Sequence, residues 1–374
     1  MDTGINLLHF KSVENCLREG VSAMSEKVVN ETKMVGKQSI AFNKPPFIIS
    51  SASIAGKKES EGPMGGLFDV IQEDPLLGKN TWEEAESELM KLAANKALEK
   101  AKLKNTDIRY LVGGDLLGQL IATSFGIASL EIPLIGIYGA CSTMGEAMLV
   151  GSMLVEGGYA GKVLSITSSH FAGAEKQFRF PLDYGNQRPY SASWTVTGSG
   201  CVIISDQDQK PDPSKASIII KGVTPGKIVD YGLKDSLNMG ACMAPAAYET
   251  IKQNLEDFGI QPNYYDKIIT GDLGYVGSDI LKDLLKEKNY DITTNHMDCG
   301  IEIFNQENQD THAGGSGCGC SAIIFASFVL RKLISREWKR VLFIPTGALL
   351  SQVSFNEGKS VPGIAHAIIV ESVG

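Results

Sequence analysis

Ile135-Gly136-Ile137-Tyr138-Gly139-Ala140-Cys141-Ser142-Thr143-Met144-Gly145-Glu146 is the segment from which this chain is best read. A short apolar strand runs into Gly-Ala, then a cysteine, then a helix carrying Ala147, Met148, Leu149, Val150, Met153 and Leu154. A cysteine at the start of a helix sits among backbone N–H groups that lack intrahelical partners. Those groups and the helix dipole favour a thiolate and lower the thiol pKa. They would equally receive a carboxylate of a ligand. A small buried core residue is the other reading of Cys141, and local sequence leaves both open.

Working outward, short apolar strands alternate with helices. Thr81-Trp82-Glu83-Glu84 makes a capping box, and Ala85, Leu89, Leu92 and Ala93 follow at helical spacing. Tyr110–Val112, Leu134–Tyr138, Val163–Ile166 and Cys201–Ile204 read as strands, the pattern of a largely parallel α/β sheet covered on both faces. The pattern then repeats. Gly114-Asp115-Leu116 returns as Gly271-Asp272-Leu273, Cys141-Ser142 as Cys320-Ser321, and Val163-Leu164 as Val341-Leu342. Gly198 to Ile204 is matched by Gly363 to Ile369. Four matches in order imply a duplication, with an insertion in the second half between Asp298 and Ser316. The expected organisation is a polar N-terminal extension over 1–36, a first half over 37–205, a Pro-containing linker over 206–217 and a second half over 218–374.

Composition narrows the function classes. The 374 residues are 43% hydrophobic and 21% charged, with 40 glycines and a net charge of −8. A fold-wide basic surface for nucleic acid is therefore not expected, nor broad attachment to anionic lipid. Seven cysteines at irregular spacing do not make a secreted disulfide framework and read as reduced thiols. The N-terminus lacks signal-peptide architecture, and no apolar run is long enough for a membrane span, so a soluble protein is expected.

Other candidate chemistry is scattered. His170 ends the strand after the Cys141 helix, on the sheet edge where open α/β folds bind ligands. His366, in the last strand over Ile364 to Val370, either fills the core or lines a pocket. His312 reads as solvated. The stretch Glu175 to Tyr190 is either a solvated loop or a lid, in which Lys176, Arg179 and Arg188 pair with carboxylates and Phe178, Phe180, Tyr184 and Tyr190 stack on a flat ring. Gly314-Gly315-Ser316-Gly317-Cys318-Gly319-Cys320 lacks P-loop spacing, and its Cys-x-Cys fits packing better than a zinc finger. No metal ligand set is expected.

The duplicated frame, the Gly-Ala-Cys-Ser-Thr turn and the C-terminal Gly363-Ile364-Ala365-His366-Ala367-Ile368-Ile369-Val370-Glu371 resemble the thiolase and ketoacyl-synthase superfamily. Within it, the chain from about Gly36 resembles the stage V sporulation protein AD family of spore-forming bacteria. Phe178-Arg179-Phe180-Pro181, Thr197-Gly198-Ser199-Gly200, Met243-Ala244-Pro245-Ala246-Ala247 and Thr346-Gly347-Ala348-Leu349-Leu350-Ser351 carry that resemblance. It implies an α-β-α-β-α layered sandwich of two pseudo-repeated halves, associating as a homodimer. It also implies no cofactor, and a ligand, dipicolinic acid (pyridine-2,6-dicarboxylate), taken alone or as its calcium chelate into the developing spore. Membrane proteins of the same spore uptake system are the implied partners, with this chain peripheral to the spore inner membrane. From thiolases only Cys141 carries over, as the position of the acyl-accepting thiol. The His-Pro loop has become His312-Ala313-Gly314-Gly315-Ser316, and the second thiol is missing from Lys359 to Ala365. The expectation is an enzyme frame reused for binding a small aromatic dicarboxylate through Cys141, Ser142, Thr143, His170, Arg179, Arg188 and His366. The rival expectation is an active acyltransferase or condensing enzyme with Cys141 as acyl acceptor.

Overall fold

A computed structural model describes residues 33–178, 187–209 and 214–374. Residues 35–374 form one compact unit in which both halves share their packing. Its backbone is a mixed sheet. In the first half the strands are β1 (Phe47–Gly56), β2 (Tyr110–Asp115), β3 (Leu134–Gly136), β4 (Lys162–Ser169) and β5 (Gly198–Ser205). The second half supplies β6 (Ser217–Thr224), β7 (Lys267–Thr270), β8 (His296–Asp298), β9 (Arg340–Ile344) and β10 (Ala367–Val373). Spatial order is β3-β2-β4-β5-β1 in the first half and β8-β7-β9-β10-β6 in the second, so each strand has its counterpart in place. Strands β2, β3 and β4 are mutually parallel, as are β7, β8 and β9, while β1, β5, β6 and β10 run antiparallel to their neighbours. The sheet is thus less uniformly parallel than the alternation of elements suggests. The halves meet where β1 and β6 pair at Phe47 and Ile219.

Period-two alternation along the strands builds the layers. Val163, Val202, Ile204, Val341, Phe343, Ile368 and Val370 face a central core. Their neighbours Leu164, Cys201 and Ile203 face a second core on the outside of the first half. Leu342, Ile344 and Ile369 face a third on the outside of the second half. The central core holds α3 (Thr143–Glu156) and the helix that begins at Cys318–Ile324 and passes through a wider turn at Phe325–Val329. The outer cores are covered by α1 (Trp82–Ala101) and α2 (Ile121–Ile127) on one side and by helices Met239–Phe258 and Gly274–Lys286 on the other. Helix, sheet, helix pair, sheet and helix make the five layers of the expected sandwich.

Local signals hold at the element ends. Thr81 accepts from the Glu84 N–H at 3.2 Å while Glu84 reaches back to the Thr81 N–H, so α1 starts on its capping box. Gly200 on β5 lets the Cys318 helix lie directly on the strand: a Cβ there would stand 2.4 Å from the Ala322 carbonyl carbon. Two boundaries move. Strand β6 already starts at Ser217, the last residue assigned to the linker. The last strand is broken at His366, which separates Gly363–Ala365 from Ala367–Val373. No described helix is long and apolar enough to cross a membrane.

Candidate ligand pocket at the Cys141 turn

The chain leaves β3, extends to Gly139 and enters a tight turn over Ala140–Ser142 before α3 begins. Ala140 takes a left-handed φ of 51°, which costs a non-glycine residue about 1–2 kcal/mol. Its neighbours offset that strain. The Ser142 hydroxyl donates to Gly139 O at 2.7 Å, the Thr143 hydroxyl donates to Ala140 O at 2.6 Å, and Gly139 N–H donates to the Thr143 oxygen. Ser142 and Thr143, expected as ligand contacts, are fully buried and spend their hydroxyls on the turn itself. From the second half, Gly347 presses on the same turn, leaving no room for a side chain against Gly139 O.

The Cys141 side chain is 4% exposed and packs with Leu116, Ala174, Phe178 and Cys318. Its thiol pKa is raised well above the ordinary value, first by burial and then by the facing Asp272 carboxyl, with Gly317 N–H the only opposing influence. Of the two readings the sequence left open, this favours the buried one, with burial and then a nearby acid set against the helix terminus. Asp272 comes from the loop after β7, on the other half. Its oxygens accept from Gly317 N–H at 2.9 Å and from the Thr346 hydroxyl at 2.8 Å, and burial pushes it up to about 7. Behind it, Asp298 pins that loop by accepting from Leu273 N–H, Gly274 N–H, Ile301 N–H and the Thr270 hydroxyl.

A pocket opens over the sulfur between the two halves, enclosing about 510 Å³ of unfilled space, mouth included. Tyr138 and Phe178 give it aromatic walls, and Leu116, Leu237, Met239 and Leu350 aliphatic ones. Ser193, Thr195, Ser236 and Ser316 add hydroxyls, and the buried Glu175 accepts from Thr195 at 3.0 Å.

The other candidates face elsewhere. His170 does end β4 at the expected edge, but its Nε2 lies 2.8 Å from Pro75 O and its ring tilts against Trp82. Burial lowers its pKa. Arg188 donates through Nη2 to Asp310 and lies over the Trp194 ring. Trp194 and Thr195 point to opposite faces of one short strand, so Arg188 stands behind the pocket wall. His366 accepts from Gly226 N–H at 3.1 Å, and burial pushes its pKa down to about 4. His312, expected in solvent, lies 3.0 Å from Pro189 O and 3.1 Å from Asp310. Arg179, Phe180 and Tyr184 lie outside the described residues. Cys318 points its sulfur at Ser168 O, and Cys320 belongs to the central core. Among the described residues no three His, Cys, Asp or Glu side chains are disposed to hold a metal ion. Of the expected contacts among the described residues, Cys141 lines the pocket and Ser142, Thr143, His170, Arg188 and His366 do not. Asp272 was missed, although its place in the Gly-Asp-Leu repeat marked it.

Comparison with known proteins identifies this arrangement. The family model described as stage V sporulation protein AD matches residues 36–371. The chain belongs to the stage V sporulation protein AD family. It is 44% identical over 342 residues to the stage V sporulation protein AD of Bacillus subtilis (strain 168), covering 91% of this chain and 99% of that protein. A role in sporulation follows from that membership. Among solved structures it is similar to AbyA1, a tetronic acid condensing enzyme, with a TM-score of 0.54 at 15% identity over 87% of this chain and 99% of that one. A single-residue variant of Xanthomonas campestris OleA gives 0.52 at 13% identity over 90% and 99%. The Ascaris suum thiolase Acat5, solved with coenzyme A, gives 0.50 at 11% identity over 88% and 100%. These likenesses establish the thiolase-like fold of this family member.

Proposed function

We propose that this sporulation protein binds pyridine-2,6-dicarboxylate in the pocket over Cys141 and supports its uptake into the developing spore without changing it chemically. The observation that carries the reading is a pocket between the halves whose described walls offer aromatic faces and hydroxyls but no histidine. Tyr138 and Phe178 suit a flat ring. Ser236 and Ser316 suit carboxylate oxygens as donors. Condensing chemistry needs a base beside a reactive thiol, and the described histidines at 170, 296, 312 and 366 each bond outside the pocket and do not line it.

Membrane proteins of the same uptake system are the proposed partners, and a second copy of this chain is proposed along β3. That strand is the sheet edge, with Leu134 39% and nearby Phe125 73% exposed. Calorimetric titration with dipicolinate, with and without calcium, tests the ligand. Saturable heat is expected with the 2,6-dicarboxylate and weaker heat with a ring isomer. No saturable signal at millimolar ligand would sink the proposal. A stable acyl adduct on Cys141 after incubation with acyl-coenzyme A, read by intact mass, would replace it with the acyltransferase reading.

A further inference from the structure

We propose that a second pocket, on the opposite face of the helix Phe171–Phe178 from Cys141, binds an organic cation: an ammonium or guanidinium group on a short aliphatic stem, received by Glu86. The inference goes beyond the Cys141 site and does not depend on it. Gly173 and Gln177, one turn apart on that helix, line the second pocket, whereas Glu175 and Phe178 line the first. The second pocket encloses about 560 Å³ of unfilled space, mouth included, and Glu83, Glu86 and Asp115 all line it. Glu86, on α1, is 3% exposed. Its Oε1 accepts from the Ser168 hydroxyl at 2.9 Å, and no donor among the described residues reaches its Oε2. That oxygen lies over Gly173: a Cβ there would stand 3.5 Å from it, so the missing side chain leaves it open to the pocket. A carboxyl oxygen this buried costs free energy until a donor completes it.

The lining decides what that donor is. Among the described residues, the cation paired with these carboxyls is Lys176, which sits on Glu83 at the mouth, where Glu83 is 34% exposed. Glu86 and Asp115 lie deeper, so an anion is excluded by charge. A metal ion does not fit either. Asp115 is 1% exposed, its Oδ1 accepts from Leu117 N–H, and its Oδ2 accepts from both the N–H and the hydroxyl of Thr123. It supplies charge while its oxygens are engaged, and no three His, Cys, Asp or Glu side chains among the described residues are disposed to hold a metal. One buried oxygen lacking a donor, beside a second negative charge already bonded, matches a charged N–H group. Leu117, Ile121 and Ala122 wall the space for an aliphatic stem. Burial and then Asp115 raise the Glu86 pKa to about 8, so a cation arriving at neutral pH draws off a proton. The other titratable groups around Glu86 are Asp115 from β2, Glu83 with its Lys176, and His170 behind Gly173, whose pKa burial lowers.

The test titrates the full-length protein with n-butylguanidinium chloride at constant ionic strength, read by calorimetry; a guanidinium keeps its charge at either pH used. Saturable binding in the millimolar range is expected at pH 8.5, weakening about tenfold at pH 6.5 as Glu86 takes up its proton. Glu86→Gln keeps an acceptor for Ser168 and should weaken binding at pH 8.5 by at least about tenfold and remove its pH dependence. Gly173→Ala places a methyl group in ordinary contact with Oε2, and should weaken binding as much without lowering the melting temperature. If Glu86→Gln does not fold, Gly173→Ala decides. No saturable signal at pH 8.5, or equal affinity in the native protein and both variants, overturns the inference. Calcium chloride binding more tightly than the guanidinium, and losing that in Glu86→Gln, overturns the choice of an organic cation. A second titration, with Nα-acetyl-arginine N-methylamide, separates two sources of the same group. Affinity equal to that of n-butylguanidinium assigns the pocket to a basic side chain of a partner protein, and loss of binding assigns it to a free small cation.

Discussion

Replacing Gly347 by alanine probes whether the pocket is assembled by the meeting of the two halves. Gly347 lies on the short strand Thr346–Ala348 of the second half, against the Cys141 turn of the first. A Cβ there would lie 2.2 Å from Gly139 O and 3.0 Å from Ser142 N, about 1.2 Å short of the 3.4 Å at which ordinary contact begins. Both atoms are backbone, so no side chain can swing away. Gly139 O also accepts the Ser142 hydroxyl that supports the strained Ala140, so the turn cannot retreat without losing that bond. Overpacking of this kind costs about 1–3 kcal/mol, and the upper half of that range is expected here because backbone must move. For a chain of this length about 2–3 kcal/mol lowers Tm by roughly 3–4 °C. Thermal melting measures the loss, and dipicolinate calorimetry measures the pocket, where affinity should drop at least about tenfold if the turn shifts by an ångström. Gly66→Ala is the control, since a Cβ there meets nothing within 4 Å. Melting and affinity both matching Gly66→Ala would refute the claim that the second half braces the Cys141 turn.

Other outcomes follow from the same geometry. Glu86, 3% exposed and bonded to Ser168, has its pKa raised from 4.5 to about 8 by burial and by Asp115. A carboxyl whose folded pKa is raised favours the folded state at low pH and loses that advantage as pH climbs from about 4.5 to 8. The shift sets a ceiling of about 5 kcal/mol, and water in the adjoining pocket should reduce it to about 2 kcal/mol. Glu86→Gln keeps an acceptor for Ser168 and should flatten that part of the pH profile in denaturant titrations at pH 5 and 8.5; equal losses in both proteins would count against it. Thr81→Ala, which removes the N-cap of α1, should cost about 1 kcal/mol by the same titration. Phe125→Asp should leave the melting temperature within about 1 °C yet convert a dimer to monomer in sedimentation; a variant that sediments like the native protein would remove this surface from the proposed interface.

Much of this protein was readable before any coordinates. The duplication was legible because each repeat is short and local: Gly-Asp-Leu at a strand end, Val-Leu inside a strand, Cys-Ser beside a helix start. Alternation in Val163-Leu164 and Val341-Leu342 reports two buried faces wherever the strands lie, which fixes a sheet covered on both sides. The Thr81 capping box needed only four consecutive residues. Cys141 was found for the same reason, since a strand, two small residues and a helix start are adjacent in the chain.

What the sequence could not give is direction across space. Chain order placed His170 at the correct edge of the sheet, but the wall it turns toward depends on Pro75 and Trp82, which arrive from another element. Arg188 reads as a free guanidinium until Asp310 and Trp194 are seen around it. Ser142 and Thr143 read as donors to a ligand until Ala140 is found strained and in need of them. The state of the thiol shows the limit most clearly. Local chain argues for a thiolate because the helix dipole is a property of the α3 backbone alone. The tertiary fold argues for a thiol because it buries the sulfur among Leu116, Ala174, Phe178 and Cys318 and, second to that, brings Asp272 from the other half of the chain near it.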